Sequence, residues 1–267
     1  MTDTTYDRYH HLRFSRRSRV LTVTIDRPAK LNAVDGPLHE ELSRVFYDVA
    51  ADPAVDVVVL TGAGRAFSAG GDFDWFQEMI DDPAAWERCR IEAKKIIFGL
   101  LDCEKPIIAK VNGHAVGLGA TMALFCDVIF AAKTARFADP HVGVGLVGGD
   151  GGAIIWPQLI GYARAKEYLM TGDPIRAEDA ARIGLINHAV EEAELDSRVE
   201  AFADRLAAGA TQSIRYTKTS VNIALRQLAH SLLDASLAYE SLTNFSKDHQ
   251  EAVTAFREKR KPAFKGQ

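Results

Sequence analysis

Glycines in this chain gather directly after predicted β-strands, and this placement constrains the fold more than any other feature of the sequence. The segment 55–60 is a nearly continuous β-branched run that ends in Thr61-Gly-Ala-Gly64. Residues 107–111 and 127–131 repeat the pattern. Apolar runs of this kind are typical of strands covered on both faces of a sheet. The three glycine clusters are Gly62, Gly64, Gly70 and Gly71; Gly113, Gly117 and Gly119; and Gly143, Gly145, Gly148, Gly149, Gly151 and Gly152.

These glycines allow two interpretations. They form tight turns, or they let backbone N–H groups approach a ligand beyond the carboxyl ends of the strands, where open α/β sheets bind ligands. Any one cluster alone favours turns. Three clusters at corresponding strand ends favour a ligand site.

Helical periodicity fills the segments between the strands. An alternating strand at 20–25 precedes a helix at 37–50, and this alternation predicts an α/β core with right-handed crossovers. From residue 161 onward the pattern is mainly helical, with a long helical segment from about 211 to 259. We therefore divide the chain into an α/β core at 1–205 and a helical C-terminal region at 206–267, with a soft boundary because no linker separates them. The other predicted helices are 162–170, 177–183 and 192–208.

Composition excludes several classes of protein. The longest apolar run, 115–126, is shorter than the roughly 18 residues of a membrane helix, and residues 1–20 lack the apolar stretch of a secretory signal. We therefore expect a cytoplasmic protein without a membrane partner. A net charge of -4 argues against nucleic acid as the main partner. Cys89, Cys103 and Cys126 form no CxxC pair and are expected to be buried free thiols.

Motifs typical of other chemistries are present only in part. Gly143-Val-Gly-Leu-Val-Gly148 matches a dinucleotide-binding pattern, but further glycines follow it where a helix should begin. His39-Glu40 starts like a zinc-protease helix, yet Ser43 stands in place of the second histidine. We therefore predict no metal site.

Four motifs, in order, carry a resemblance to a known family. They are Arg27-Pro-Ala-Lys-Leu-Asn-Ala33, Gly64-Arg-Ala-Phe-Ser-Ala-Gly-Gly-Asp72, Lys105-Pro-Ile-Ile-Ala-Lys-Val-Asn-Gly-His-Ala-Val-Gly-Leu-Gly119 and Phe256-Arg-Glu-Lys-Arg-Lys-Pro262. With them the chain resembles the crotonase superfamily, the fold of enoyl-CoA hydratases and isomerases, over nearly its whole length. The resemblance implies a crotonase-like spiral of ββα repeats whose C-terminal helical region mediates assembly into a homotrimer or a dimer of trimers. It also implies a coenzyme A thioester as substrate, with no tightly bound cofactor.

The resemblance assigns roles to several residues. It implies an oxyanion hole formed by the backbone N–H groups of Ala69 and Leu118, where Leu118 replaces a glycine common in the family. It implies coenzyme A contacts at both ends of the chain, although Lys30 and Lys259 could equally be ordinary surface charges. The positions that match coenzyme A contacts are Ala29, Lys30, Leu31, Ala66, Ser68, Asp72, Phe256 and Lys259.

The acid/base residues depart from the hydratase pattern. Thr121 and His141 stand where typical hydratases carry two glutamates, so a two-carboxylate hydration mechanism is in doubt. Asp150 matches a position where related isomerases carry an aspartate, and it is either a catalytic base or the N-cap of the helix that follows. His141 is either the titrating group or a hydrogen-bonded pocket residue. The aromatic residues Trp75, Phe76, Trp86 and Trp156 belong either to an acyl pocket or to the core.

These observations favour an enzyme that stabilises a thioester enolate, an enoyl-CoA hydratase or isomerase of the kind used in fatty acid metabolism. Another reaction of the same fold is a second possibility: double-bond isomerisation, ring chemistry or thioester hydrolysis. The absent glutamates leave open a third, a coenzyme A-binding protein without catalysis.

Overall fold

Two sheets form the core of the molecule, whose computed structural model describes residues 6–267. Apart from the antiparallel first strand, neighbouring strands of the larger sheet run parallel. The larger sheet contains, in spatial order, β1 (Leu12–Arg17), β2 (Val20–Ile25), β3 (Val57–Gly62), β5 (Ile107–Val111), β7 (Val128–Ala132) and β10 (His188–Val190). The smaller sheet contains β4 (Ala66–Ser68), β6 (His114–Val116), β8 (Arg136–Ala138) and β9 (Ile175–Arg176).

Helices follow pairs of strands that lie in different sheets. The units β3-β4-α2, β5-β6-α4 and β7-β8-α5 each place one strand in the larger sheet, the next strand in the smaller sheet, and then a helix. This repetition confirms the predicted α/β spiral of ββα units. The helices are α1 (Gly36–Ala51), α2 (Phe73–Asp81), α3 (Pro83–Asp102), α4 (Leu118–Leu124), α5 (Gly152–Ile160), α6 (Tyr162–Thr171), α7 (Ala177–Arg182), α8 (Leu195–Ala207), α9 (Thr211–Asn244) and α10 (Lys247–Arg257).

Two predicted elements differ from the structure for local reasons. Strand β3 begins two residues later than predicted, because Asp56 is held in the preceding turn by ion pairs with Arg19 and Arg215. The predicted helical segment at 211–259 is two helices, because α9 ends at Asn244 and Phe245 leaves the helical conformation. Ser246 then starts α10 by accepting a hydrogen bond from the His249 N–H at 3.1 Å.

The C-terminal helices share the core of the sheets. Leu233 and Leu237 of α9 are fully buried in the main apolar cluster, and Trp86 of α3 donates a hydrogen bond to Ser241 Oγ at 2.8 Å. The boundary predicted after residue 205 lies inside α8, and the division into two regions stays a prediction.

The structure also bears on the predictions from composition. Within residues 6–267, no helix is long and apolar enough to cross a bilayer. Residues 1–5, part of the segment in which the sequence predicts no secretory signal, lie outside the described residues. All three cysteines are free, as predicted, and Cys103 and Cys126 are buried. Cys89 is only half-buried, because it lies on the wall of a cavity.

Asn32 joins the loop after β2 to the loop after β3. Its side chain is fully buried, its amide oxygen accepts a hydrogen bond from the Arg27 N–H at 2.9 Å, and its amide nitrogen donates to the carbonyls of Ala63 and Ala66, both at 2.8 Å. The residue adopts a left-handed backbone conformation with φ of 57°. Buried polar groups require such partners, so this side chain holds the loops after β2 and β3 together.

We expect Asn32→Ala to lower the free energy of unfolding by about 3 kcal/mol, because it removes three hydrogen bonds of a buried side chain and leaves the Ala66 carbonyl with only the 3.4 Å bond from Asn112 Nδ2. Urea unfolding measures the change. Asn222→Ala is the matched control, since Asn222 lies half-buried on α9 and its side chain makes no hydrogen bond among the described residues. Equal losses in the two variants would contradict the role given to Asn32.

Candidate active site

A cavity of about 110 Å³ lies where the loops after β4 and β6 meet the start of α4. Its wall is mainly apolar and includes three of the four aromatic residues considered from sequence, Trp75, Phe76 and Trp86. Trp156, the fourth, is fully buried in the core. An enclosed apolar cavity with a few converging polar groups is the usual form of a small-molecule site.

Two backbone loops line one side of this cavity. Leu118 is the first residue of α4, and its N–H has no backbone acceptor in the described part of the chain. The Ala69 N–H, in contrast, donates to the Leu31 carbonyl at 3.0 Å. Both residues line the cavity, so the structure brings together the two predicted donors, but one of them already holds a partner.

A buried polar cluster faces the same cavity. His141 Nδ1 is hydrogen-bonded to Asp139, and His141 Nε2 lies 3.8 Å from Asp150 Oδ2. The Thr121 hydroxyl donates to Asp150 Oδ1 at 3.4 Å. Gly151 is the N-cap residue of α5, and the Asp150 carboxyl, one residue earlier, accepts a hydrogen bond from the Gly152 N–H at the start of that helix. The same carboxyl is also a member of this cluster.

Burial and neighbouring charges shift the protonation of this cluster. Burial raises the pKa of Asp150, while the His141 imidazole and a hydrogen bond from the Gly152 N–H act in the opposite direction. Burial opposes a charge on His141, but the carboxylates of Asp139 and Asp150 outweigh it and raise the pKa of His141 well above its ordinary value. Two carboxyl groups on either side of one imidazole can therefore hold and pass a proton inside an apolar cavity.

Sequence reasoning missed Asp139 and Glu240. Asp139 is buried beside Gly152, where any side chain would overlap its carboxylate. Glu240 reaches the cavity from α9, and a Cβ at Gly149 would lie 2.7 Å from Glu240 Oε2. The glycine-rich run at 148–152 was therefore the available signal, because it leaves room for two acidic side chains that are distant in sequence.

Glu240 has an unusual environment for a carboxyl group. Its Oε2 is buried and makes no hydrogen bond among residues 6–267. Burial, the largest cause, and the charge of Asp150 together raise the pKa of Glu240 to about 8. At neutral pH this side chain is therefore mainly protonated.

His39 is a further residue of the cavity that the sequence did not single out. It is buried, its Nδ1 lies 2.7 Å from Glu92 Oε2, and its ring packs against Trp75. In the sequence it stood out only as the start of a failed zinc motif.

The ligand atoms of Asp139, His141 and Asp150 lie within 4.8 Å of one another, a spacing that a metal ion could bridge. The spacing of histidines along the chain gave no hint of this cluster. One imidazole nitrogen is already bonded to Asp139, so a metal would have to use Nε2. The expectation that the protein binds no metal stays a prediction.

Three of the residues predicted to contact coenzyme A, Lys30, Asp72 and Phe256, lie around one end of α2. Lys30 ends a short 3₁₀ turn, Pro28–Lys30, and its Nζ lies 3.9 Å from Asp72, the N-cap of α2. Phe256 of α10 stacks on Phe73 with ring centroids 3.6 Å apart. The C-terminal helix thus packs on α2 of its own chain. Lys259 follows α10 and is exposed.

The remaining predicted contacts are parts of the loop framework. Ser68 is fully buried and donates its hydroxyl hydrogen bond to the Asn32 carbonyl at 2.8 Å, so its side chain supports the loop. Ala66 offers its carbonyl to Asn32, and Ala29 and Leu31 lie in and directly after the 3₁₀ turn.

Comparison with known proteins identifies the family. A family profile described as enoyl-CoA hydratase/isomerase matches residues 15–267. The chain belongs to the enoyl-CoA hydratase/isomerase family. It is 36% identical to a short-chain-enoyl-CoA hydratase of Clostridium acetobutylicum, over 92% of this chain and 94% of that relative. It is accordingly an acyl-CoA enzyme of the hydratase/isomerase type.

Solved structures of this family superpose closely. An enoyl-CoA hydratase/isomerase from Mycobacterium paratuberculosis has a TM-score of 0.89 and 36% identity, covering 91% of this chain and 97% of that one. A beta-diketone hydrolase from the cyanobacterium Anabaena, bound to (S)-3-oxocyclohexyl acetic acid, has a TM-score of 0.84 and 31% identity, covering 90% of this chain and 96% of that one. The crotonase-like fold predicted from sequence is therefore confirmed.

The raised pKa of Glu240 predicts a pH-dependent stability difference between the wild type and Glu240→Gln. The unfolded chain ionises this group above its ordinary pKa of 4.5, whereas the folded chain keeps the proton to about pH 8. The wild type therefore loses stability as the pH rises from 4.5 to about 8, and the loss does not increase further at higher pH. We expect the advantage of Glu240→Gln to grow across that interval and then level off.

Urea unfolding at several pH values measures this difference. Glu167→Gln is the control, because Glu167 is exposed on α6. The difference in unfolding free energy between this variant and the wild type should be the same at each pH. A difference between Glu240→Gln and the wild type that did not vary with pH would show that Glu240 titrates normally.

Proposed function

We propose that this enzyme moves a proton at a carbon next to a coenzyme A thioester, with Asp150 as the base and His141 as its partner. The observation that carries the proposal is the contact of the buried Asp150 carboxyl with the His141 imidazole on the wall of the apolar cavity. A carboxyl group with a raised pKa is a stronger base than an exposed one, and it is placed where a substrate would be shielded from water.

The thioester oxygen gains negative charge when the neighbouring carbon loses its proton. We assign the Leu118 N–H as one donor to that oxygen, because it has no backbone acceptor in the part of the chain described. The Ala69 N–H is the second donor, and it shares its hydrogen with the Leu31 carbonyl in a three-centre bond. Donors fixed in advance at such a position typically contribute about 3 kcal/mol each to stabilising the transition state.

Double-bond isomerisation fits these groups best. Asp150 takes a proton from the carbon next to the thioester, the resulting enolate is held by the two N–H groups, and the same proton returns to a carbon further along the chain. No water is consumed. Hydration would need a second group to activate water, and Thr121 stands where hydratases carry one of their glutamates.

A second candidate reaction is hydrolysis of a carbon–carbon bond in a β-diketone. The Anabaena relative that is named for this activity is 31% identical to this chain. The bond from Asp139 to His141 Nδ1 favours it, because an imidazolium oriented by a carboxylate can position water through Nε2 beside Asp150, whose carboxylate takes the proton from that water. The hydroxide would add to one carbonyl, the bond between that carbonyl carbon and the neighbouring carbon would break to give a carboxylic acid and an enolate, and Asp150 would return the proton to the enolate carbon.

The coenzyme A portion is proposed to lie along the end of α2. Lys30 and Lys259 provide positive charge, and the exposed face of Phe256 provides an aromatic surface. Asp72 helps to hold this region, since its carboxylate lies 3.4 Å from the Arg27 guanidinium. The cytoplasmic location stays a prediction from the sequence.

We expect Asp150→Asn to lower kcat by about 10²- to 10⁴-fold on whichever thioester or diketone the wild type converts, because it removes the base. The assay uses crotonyl-CoA, longer enoyl-CoAs and cyclic β-diketones, followed by mass spectrometry. Isomerisation leaves the mass unchanged, while hydration and carbon–carbon hydrolysis each add one water.

Product structure separates these last two reactions, because only hydrolysis opens the ring or divides the chain. Asp173→Asn is the matched control, since Asp173 is exposed and does not line the cavity. Full activity in Asp150→Asn would remove Asp150 from the mechanism. Tight acyl-CoA binding with no turnover of any compound would support the non-catalytic alternative.

Assembly into a trimer or a dimer of trimers is also a proposal. It is supported by exposed apolar side chains along α9, among them Val221 and Leu242, each 74% exposed in a single chain. We expect the wild type to have the mass of three or six chains by light scattering, and the double variant Val221→Asp, Leu242→Asp to have a smaller mass. A monomeric wild type would contradict the proposal.

A further inference from the structure

Glu240 is a polar group that the proposed proton transfer does not use. It lies on the wall of the cavity with His141 and Asp150, its side chain is 6% exposed, and its Oε2 has no hydrogen-bond partner within residues 6–267. Buried carboxyl oxygens without partners are rare in folded proteins, and each costs about 1–3 kcal/mol or more. A ligand atom that bonds to Glu240 would recover this cost.

The apolar residues that make up most of the cavity wall offer Glu240 no such partner. Leu237 lies one turn before it on α9, and Trp86, Met79 and Ala93 line the same space. The Trp86 indole N–H is directed to Ser241 and is not available. A wholly hydrocarbon acyl chain would therefore bury the carboxyl against apolar atoms and leave it unpaired.

We propose that the acyl group of the substrate carries an oxygen function, a keto or a hydroxyl group, and that Glu240 binds this oxygen by a hydrogen bond. The inference rests on the proposed function, because it defines the substrate class of the same cavity. Glu240 acts here as a specificity residue, and proton transfer remains with Asp150 and His141.

The charges around Glu240 determine whether its carboxyl group donates or accepts a hydrogen bond. The titratable groups that influence it are Asp150, His141 and Asp139, and it in turn acts on the Cys89 thiol. Because burial and Asp150 keep the carboxyl protonated at neutral pH, it can donate to a keto oxygen. After ionisation it can only accept, so it would bind a hydroxyl group and reject a keto group.

Binding measurements test the inference without requiring turnover. Isothermal calorimetry compares hexanoyl-CoA with hexanoyl-CoAs that carry one keto or one hydroxyl group at successive carbons of the chain. At pH 6.5 we expect at least one oxygenated ligand to bind about 10-fold more tightly than hexanoyl-CoA, the effect of roughly one good hydrogen bond. Glu240→Leu should reduce that ratio to about one, and Glu240→Gln, which keeps a donor, should retain most of it.

A matched control and a pH series complete the experiment. Glu167→Leu makes the same change on the exposed surface of α6 and should keep the wild-type ratio. At pH 9 the wild type should lose its preference for the keto ligand and keep its preference for the hydroxyl ligand. This comparison uses the wild-type protein alone. Equal affinity for hexanoyl-CoA and every oxygenated ligand, or an unchanged ratio in Glu240→Leu, would overturn the inference.

Failure of the proposed function gives a different result. If no acyl-CoA of any kind binds, the proposed function is contradicted together with the inference. If hexanoyl-CoA binds as well as its oxygenated analogues, only the role of Glu240 is contradicted.

Discussion

The two sheets can be connected as they are only because backbone passes directly over backbone at two glycines. A Cβ at Gly62 would lie 2.7 Å from the Cα of Phe67, and a Cβ at Gly113 would lie 2.9 Å from the Cα of Ala66. Each glycine stands at the point where a ββα unit leaves the larger sheet. The close approach stacks successive units in register, and the loops after β4 and β6 then border one cavity. The two glycines therefore determine where the cavity lies, independently of the polar residues that line it.

The polar residues then determine the chemistry. Two carboxyl groups and one imidazole line a cavity with mostly apolar walls, and a third carboxyl group, Asp139, is bonded to that imidazole. Full ionisation of all four groups would be strongly unfavourable there. The structure resolves this by placing the imidazole of His141 against Asp139 and near Asp150, and by leaving Glu240 protonated. The position of each group thus determines whether it is protonated, because different surroundings give chemically similar groups different pKa values.

The sequence predicted the spiral, the strand ends and two of these four groups. His141 and Asp150 could be found because they lie next to glycine-rich motifs after a strand. Asp139 could not, since its importance comes from a bond to a histidine two residues away. Glu240 lies on α9, and its helical pattern gave no sign that one side chain reaches the cavity. Backbone hydrogen bonding is equally hidden from sequence, as the bond of Ala69 to Leu31 shows.

That bond between Ala69 and Leu31 has a consequence of its own. Leu31 belongs to the segment 27–33, whose shape depends on left-handed conformations at residues 31 and 32. A ligand oxygen that attracts the Ala69 N–H weakens the bond that holds this segment, so occupancy of the thioester end and the conformation of the segment are thermodynamically linked. Such a linkage is reciprocal: whatever orders residues 27–33 from outside changes the affinity for the thioester by the same factor.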